Sequence, residues 1–283
     1  MQNFMKVYMY ELEKYLISKK KDISKISLWS DEANTDRPIK EYLKKLIETE
    51  FFEIPKKSTI ENIIVNTNSI SISNLKNIKI NRVILPEEIT EDIKSKIYIS
   101  KTSVFTNPDI LLEIINGKDF LYEPIEIKTT KIDSIPGSSI QQITPDEWVI
   151  FIRFNKNDID ITTGQYLNSI NAKMQFPDRS PRPQVSFKEL QNWNTKNRIN
   201  VDNALVYNLD NENLIKLELL KDWQNVLADR WVELIFEVDK VKSNEPWFNN
   251  NLRKFILKFL EEYDLLSENE KRSLKEKIIN LIK

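Results

Sequence analysis

The sequence predicts a mixed α/β protein, with a mixed central β-sheet flanked by helices and a helical C-terminal region. Three observations carry that prediction. Residues 108–115 (PDILLEII) and 120–129 (FLYEPIEIKT) are apolar, β-prone runs joined by Asn116-Gly117, a favoured two-residue hairpin turn. Residues 147–154 (EWVIFIRF) form a nearly continuous apolar run, the pattern of a strand buried on both faces. Helical periodicity appears towards both ends of the chain.

In chain order, residues 4–20 predict an amphipathic helix with a charged face, followed by a polar linker over 21–37. Residues 38–51 predict a helix with Pro38 in its first turn and apolar residues at 39, 43, 46 and 47. Alternation over 69–85 predicts strand in the form of a hairpin. Between the second and third apolar runs lies Pro136-Gly137-Ser138-Ser139, where either serine suits the cap of a short helix. Residues 160–200 read as polar, proline-bearing and irregular. A mixed segment at 203–209, a helix near 219–230, a strand at 231–239 and helices at 246–263 and 267–282 complete the chain. The broad apolar stripe of 246–263 reads as a core face. Length and pattern together suggest one elaborated domain over 1–283.

Composition removes most enzyme classes. The 283 residues include no histidine and no cysteine, which excludes Ser-His-Asp triads, thiol nucleophiles and zinc sites of the His/Cys kind. Only three glycines occur, Gly117, Gly137 and Gly164, too few for a P-loop or a dinucleotide-binding turn. Carboxylates, lysines, hydroxyls and a hard metal ion remain. The net charge of −1 offers no global attraction to nucleic acid, so any such contact must come from local patches. No apolar run approaches membrane-spanning length, and the N-terminal segment has no signal-like apolar core, so a cytoplasmic protein is expected.

The candidate chemistry lies on the first hairpin. Asp109 opens one strand; Glu126 and Lys128, two apart, share a face of the next, with Ile127 pointing away. Asp109 is seven residues before Asn116 and Glu126 nine after Gly117, an offset that a bulge near Pro124 would absorb. Two carboxylates and an ammonium then face one point. Mg²⁺ prefers oxygen ligands and keeps several waters, so Asp109 and Glu126 suit it as ligands. Lys128 would orient an attacking water or stabilise charge on a phosphate, and its use as a general base depends on its pKa. Acid-x-Lys is a weak pattern alone, since this composition would yield about five by chance. It occurs twice, and only here between apolar strands; an ordinary hairpin with a solvated Glu126–Lys128 pair is the bland alternative.

Pro108-Asp109 and Glu126-Ile127-Lys128, followed by the Ile-rich strand at 147–154, resemble the PD-(D/E)XK nuclease superfamily and, within it, type II restriction endonucleases. The resemblance covers roughly residues 38–155 and implies a restriction-endonuclease-like core: a helix, a mixed sheet containing a hairpin, and flanking helices. It implies Mg²⁺-dependent hydrolysis of double-stranded DNA to 5′-phosphate ends, with Asp109, Glu126 and Lys128 as catalytic residues. An acidic residue on the preceding helix often joins such sites, and Glu41 and Glu48 are the candidates. A homodimer and a cognate DNA methyltransferase as genetic partner also follow. A structure-selective repair or resolving nuclease, or a non-catalytic DNA-binding protein, are the alternatives.

Residues 160–200 suit a DNA-recognition insertion. From 165 to 200, Lys173, Arg179, Arg182, Lys188, Lys196 and Arg198 outnumber Asp178 and Glu189, with glutamines and aromatics interleaved. Arginine pairs with guanine, and glutamine or asparagine with adenine, in the major groove. Arg179, Arg182 and Gln184 are the expected base contacts. Ser138 and Ser139 are candidate phosphate contacts, although capping is the stronger expectation. A second basic stretch, 56–82, suits phosphates or a protected strand edge.

Overall fold

Alternating isoleucines and leucines build the centre of the first of two compact units. The computed structural model describes residues 1–26, 36–98, 108–155, 158–174, 182–209, 211–236 and 247–282. One unit comprises Met1–Gln175 and Ser180–Trp223, and the other includes Gln224–Lys283, where the sequence reads as one elaborated domain. Among the described residues no helix is long and apolar enough to cross a membrane.

The elements run α1 (Gln2–Ser18), α2 (Lys20–Ile23), α3 (Arg37–Glu50), β1 (Asn62–Val65), β2 (Asn68–Ser71), β3 (Ile78–Ile84) and α4 (Glu91–Tyr98). There follow β4 (Ile110–Asn116), β5 (Asp119–Thr130), β6 (Ser134–Pro136), β7 (Trp148–Phe154), β8 (Ile159–Gln165), α5 (Tyr166–Ser169), β9 (Ile170–Met174) and β10 (Pro183–Ser186). The remainder is α6 (Phe187–Asn197), β11 (Arg198–Val201), β12 (Ala204–Tyr207), α7 (Asn211–Lys221), α8 (Trp223–Phe236), α9 (Trp247–Asp264) and α10 (Glu268–Leu281).

A five-stranded sheet runs in the order β3-β4-β5-β7-β8. Its pairings are antiparallel except β5–β7, which is parallel. Both faces are covered, and β7 shows why its sequence is so uniformly apolar. Trp148, Ile150 and Ile152 enter the main core with residues of α1 and α3, while Val149 and Phe151 enter a second cluster with Tyr166, Ile170, Val185, Phe187 and Leu190. Burying each large aliphatic or aromatic side chain contributes roughly 1.5–3 kcal/mol. In β5, Ile125 and Ile127 take the main-core face, so alternation sends Glu126 and Lys128 to the opposite one. There they pair in register with Val149 and Phe151.

Two smaller sheets flank the centre. One, β11-β12-β1-β2, contains the parallel pair β1–β12, and the other, β6-β10-β9, is antiparallel. The mixed α/β expectation therefore holds, with three sheets among the described residues and a helical C-terminal region.

Several local expectations are corrected. Alternation over 69–85 makes strands but no hairpin: Ser71 accepts from the Ser73 N–H and caps a 3-10 turn, Ile72–Leu75, that sends β2 and β3 into different sheets. The hairpin turn is centred on Gly117-Lys118, since Asn116 pairs with Asp119, and Gly117 takes the left-handed φ of 67°. Leu111 pairs with Pro124 with no register shift, so no bulge is needed. The described part of 160–200 is largely regular, forming β8 to β10, α6 and β11. The strand expected at 231–239 is helix through Phe236, because the helical run begun at Trp223 continues through it; 237–239 lie outside the described residues.

The terminal helices are as expected in extent, and a reciprocal Ser267–Glu270 capping box starts α10. The apolar stripe of α9 is not core: Phe255 is 64% and Leu260 47% exposed. In α1, Lys6 and Glu11 of the expected charged face are buried, with Lys6 5.9 Å above the Tyr207 ring and Glu11 accepting from Ser58.

Candidate active site

The β4–β5 register assembles the site. Asp109 immediately precedes β4, whose first residue, Ile110, pairs with Ile125, and this register brings Asp109 beside Glu126. Asp109 Oδ2 accepts the Ile127 backbone N–H at 2.7 Å, which ties the chain before β4 to the edge of β5. On the same face, Lys128 Nζ donates to Glu126 Oε1 at 2.6 Å. Ser138 Oγ donates to that same oxygen at 3.1 Å and lies 3.4 Å from Lys128 Nζ.

Gly137 allows Ser138 to sit there. A Cβ on Gly137 would meet the Pro183 carbonyl at 2.6 Å and the Tyr166 hydroxyl at 2.7 Å. The bare backbone instead donates its N–H to Pro183 O, and the next N–H, that of Ser138, donates to Tyr166 Oη at 2.8 Å. Tyr166 in turn lies under Lys128, with the ammonium 6.0 Å from the ring centre.

The charges are tightly interdependent. Burial, and then the charge of Asp109, push the Glu126 carboxyl above its usual range despite Lys128 and Ser138. Burial alone would lower Lys128, but Glu126, Tyr166 and Asp109 outweigh it and hold the amine above its ordinary value. Lys128 is therefore an ammonium at neutral pH and not a ready general base. Asp109 has a second cation: Lys40 of α3 reaches its Oδ1 at 2.6 Å and Asp36 Oδ1 at 3.3 Å. Burial and the Asp109 charge raise Asp36, while both acids outweigh burial to raise Lys40.

Pro108, Asp109, Glu126, Ser138, Gln142, Glu147 and Tyr166 line a cleft of about 210 Å³. Among the described residues no three acids converge as an all-protein metal cage. The donor set nevertheless fits Mg²⁺. It offers two hard carboxylates across one hairpin, both side chains about one-fifth exposed at a polar cleft, and Mg²⁺ completes its shell with water and substrate oxygens.

The structure thus brings Asp109, Glu126, Lys128 and Ser138 together. Glu41 is elsewhere occupied, salt-bridged to Arg37 at 2.7 Å and more than half exposed, and it does not line the cleft. Glu48 accepts the Val83 N–H and tethers α3 to β3. Ser139 is buried at the N-cap position of the 3-10 turn Ile140–Gln142 but makes no side-chain cap bond. Arg182 is exposed just ahead of β10, Gln184 lies within β10, and Arg179 lies outside the described residues. In the basic stretch 56–82, Lys79 pairs with Glu53 and Arg82 with Glu113.

Sequence reasoning missed Lys40, Asp36 and Tyr166. The Asp36/Lys40 spacing of four residues at a helix start is a visible signal, but it reads first as a local ion pair. Comparison of the chain with family models, with curated proteins and with solved structures yields no match.

Proposed function

We propose that the chain is a Mg²⁺-dependent endonuclease of the PD-(D/E)XK type, acting on double-stranded DNA as a type II restriction enzyme and leaving 5′-phosphate ends. The observation that carries this reading is the β4–β5 register that brings Asp109 beside Glu126, with Lys128 bonded to Glu126. The helix α3, the hairpin β4–β5 and the mixed sheet around them agree with the core that the sequence resemblance implies.

Asp109 and Glu126 would hold Mg²⁺, which would supply Lewis-acid polarisation of the scissile phosphate and of the attacking water. The chain's own groups do the positioning. The Ile127 N–H fixes Asp109, and Ser138 and Lys128 fix Glu126. Lys128, held protonated, presents positive charge where a phosphorane would gather negative charge.

The three-stranded sheet is suited to reading sequence. Gln184 pairs with Pro136, two residues from Ser138, so β10 runs directly beside the cleft. The Asn171 amide meets the Gln184 side chain at 3.4 Å across β9 and β10, and Arg182 is exposed at the start of that ribbon. These side-chain types distinguish bases in the major groove. Cutting both strands of a palindrome calls for a twofold homodimer with one site per strand, and a cognate methyltransferase would protect the host.

The test is incubation of the purified protein with phage DNA and Mg²⁺. Discrete fragments, abolished by EDTA, are expected. Cleavage confined to branched DNA would move the role to repair or resolution, and no cleavage with any divalent ion would reject the nuclease reading.

A further inference from the structure

The cleavage chemistry leaves Lys40 without a task, yet it is the closest cation to Asp109. Its side chain is 13% exposed, and its ammonium is 2.6 Å from Asp109 Oδ1. The other carboxylate oxygen already accepts the Ile127 N–H. Both oxygens of the candidate metal ligand are thus engaged from within the chain, one of them by a full positive charge. Lys40 also has a second anchor: Asp36, one helical turn back, lies 3.3 Å from the same ammonium. Among the described residues Asp36 and Asp109 share Lys40, and Glu126 pairs with Lys128, so removing either lysine leaves uncompensated negative charge close to the cleft.

We infer that Lys40 is an internal counter-ion competing with the divalent metal for Asp109, so that metal binds by exchange while the ammonium retreats to Asp36. The inference rests on the metal-dependent nuclease reading. Its physical basis is simple competition: two cations seek one carboxylate, and whatever stabilises Lys40 on Asp109 is subtracted from the affinity for the ion. Lys40 is therefore a positioning residue that holds the carboxylates together before metal arrives and weakens metal binding as a consequence. A lysine that merely ties α3 to the sheet would alter stability but would not oppose a metal.

Titration of the full chain with Mn²⁺ alone, without DNA, separates these possibilities. Bound Mn²⁺ is followed by electron paramagnetic resonance in the wild type and in Lys40→Met, Lys40→Arg and Asp109→Asn. Lys40→Met, of similar length but uncharged, is expected to bind Mn²⁺ about tenfold more tightly or better. Lys40→Arg, which keeps the charge, is expected to lack that gain, and Asp109→Asn to lose the site. Thermal melting supplies a second readout: Lys40→Met should melt lower than wild type in EDTA and gain more from Mn²⁺. Lys40→Gln replaces it if Lys40→Met gives no cooperative transition. Unchanged or weaker Mn²⁺ binding by the uncharged variant, at a site that still depends on Asp109, overturns the competition and leaves the nuclease reading standing. Absence of any Asp109-dependent Mn²⁺ site in both wild type and Lys40→Met overturns the two together.

Discussion

Two groups of buried charge lie in the first unit, and they are finished to different degrees. At the first, Glu13 of α1 meets Arg198 of β11 at 2.6 Å, and its second oxygen accepts from Thr162 and from the Thr163 N–H. Arg198 also donates to the Thr163 carbonyl, and its side chain is only 4% exposed. One acid meets one base, and the Thr162 and Thr163 hydroxyls and the Thr163 backbone supply further bonds. At the second, Asp109 and Glu126 lie near enough for the charge of one to raise the pKa of the other, and both border a cleft. The first arrangement joins α1, β8 and β11. The second keeps crowded carboxylates beside open space, which a structural role does not require and which suits a cation.

That contrast is broken most severely at Arg198. Arg198→Met leaves Glu13 buried without its cation and should cost about 3–5 kcal/mol of stability in urea unfolding. A loss below about 1 kcal/mol would show that the Glu13 network is dispensable. Lys128→Met should act first on the chemistry. DNA cleavage should fall by about 10²–10³-fold, with a smaller loss of stability than in Arg198→Met because Glu126 borders the cleft and can take up water or a proton, and an active Lys128→Met variant would remove the residue from the chemistry. Gly137→Ala tests the support of the cleft. Its Cβ must push Pro183 or Tyr166 aside, so a cost of about 1–3 kcal/mol and slower cleavage are expected together.

The smallest effect concerns a third group, around buried Glu113 and its half-exposed partner Arg82. Burial pushes the Glu113 carboxyl up, but hydrogen bonds from Arg82, Asn81 and Tyr122 outweigh it and hold the carboxyl below the usual range. Because the folded pKa is depressed, this stabilisation is present above the ordinary carboxylate pKa and is lost as pH falls through the lower folded value. Glu113→Gln should therefore be less stable than wild type by about 1–2 kcal/mol at pH 7, with the gap closing as pH falls below the ordinary carboxylate range. A gap independent of pH would assign it to shape and not to charge.

The centre of this fold was legible because its strands follow simple rules. β7 is apolar throughout as it is buried on both faces, and Ile125 and Ile127 pointing one way force Glu126 and Lys128 the other. The Asp109–Glu126 juxtaposition was legible as well, though the turn was read one residue early and a bulge was added to compensate. Lys40 was not legible, since a lysine four residues from an aspartate reads as a solvated pair until tertiary structure brings Asp109 beside it. Tyr166 was obscured by a segment whose polar composition hid short strands. The β-prone residues 231–236 misled because strand preference depends on context, and a helix already begun upstream overrides it.

The most direct measurement of the central claim is Mg²⁺-dependent cleavage of duplex DNA by wild type and Asp109→Ala, with DNA binding and thermal melting recorded on both. The account predicts discrete fragments from wild type and a rate lower by more than about a thousandfold in Asp109→Ala, with binding and folding retained. Undiminished cleavage by a folded Asp109→Ala variant would contradict it.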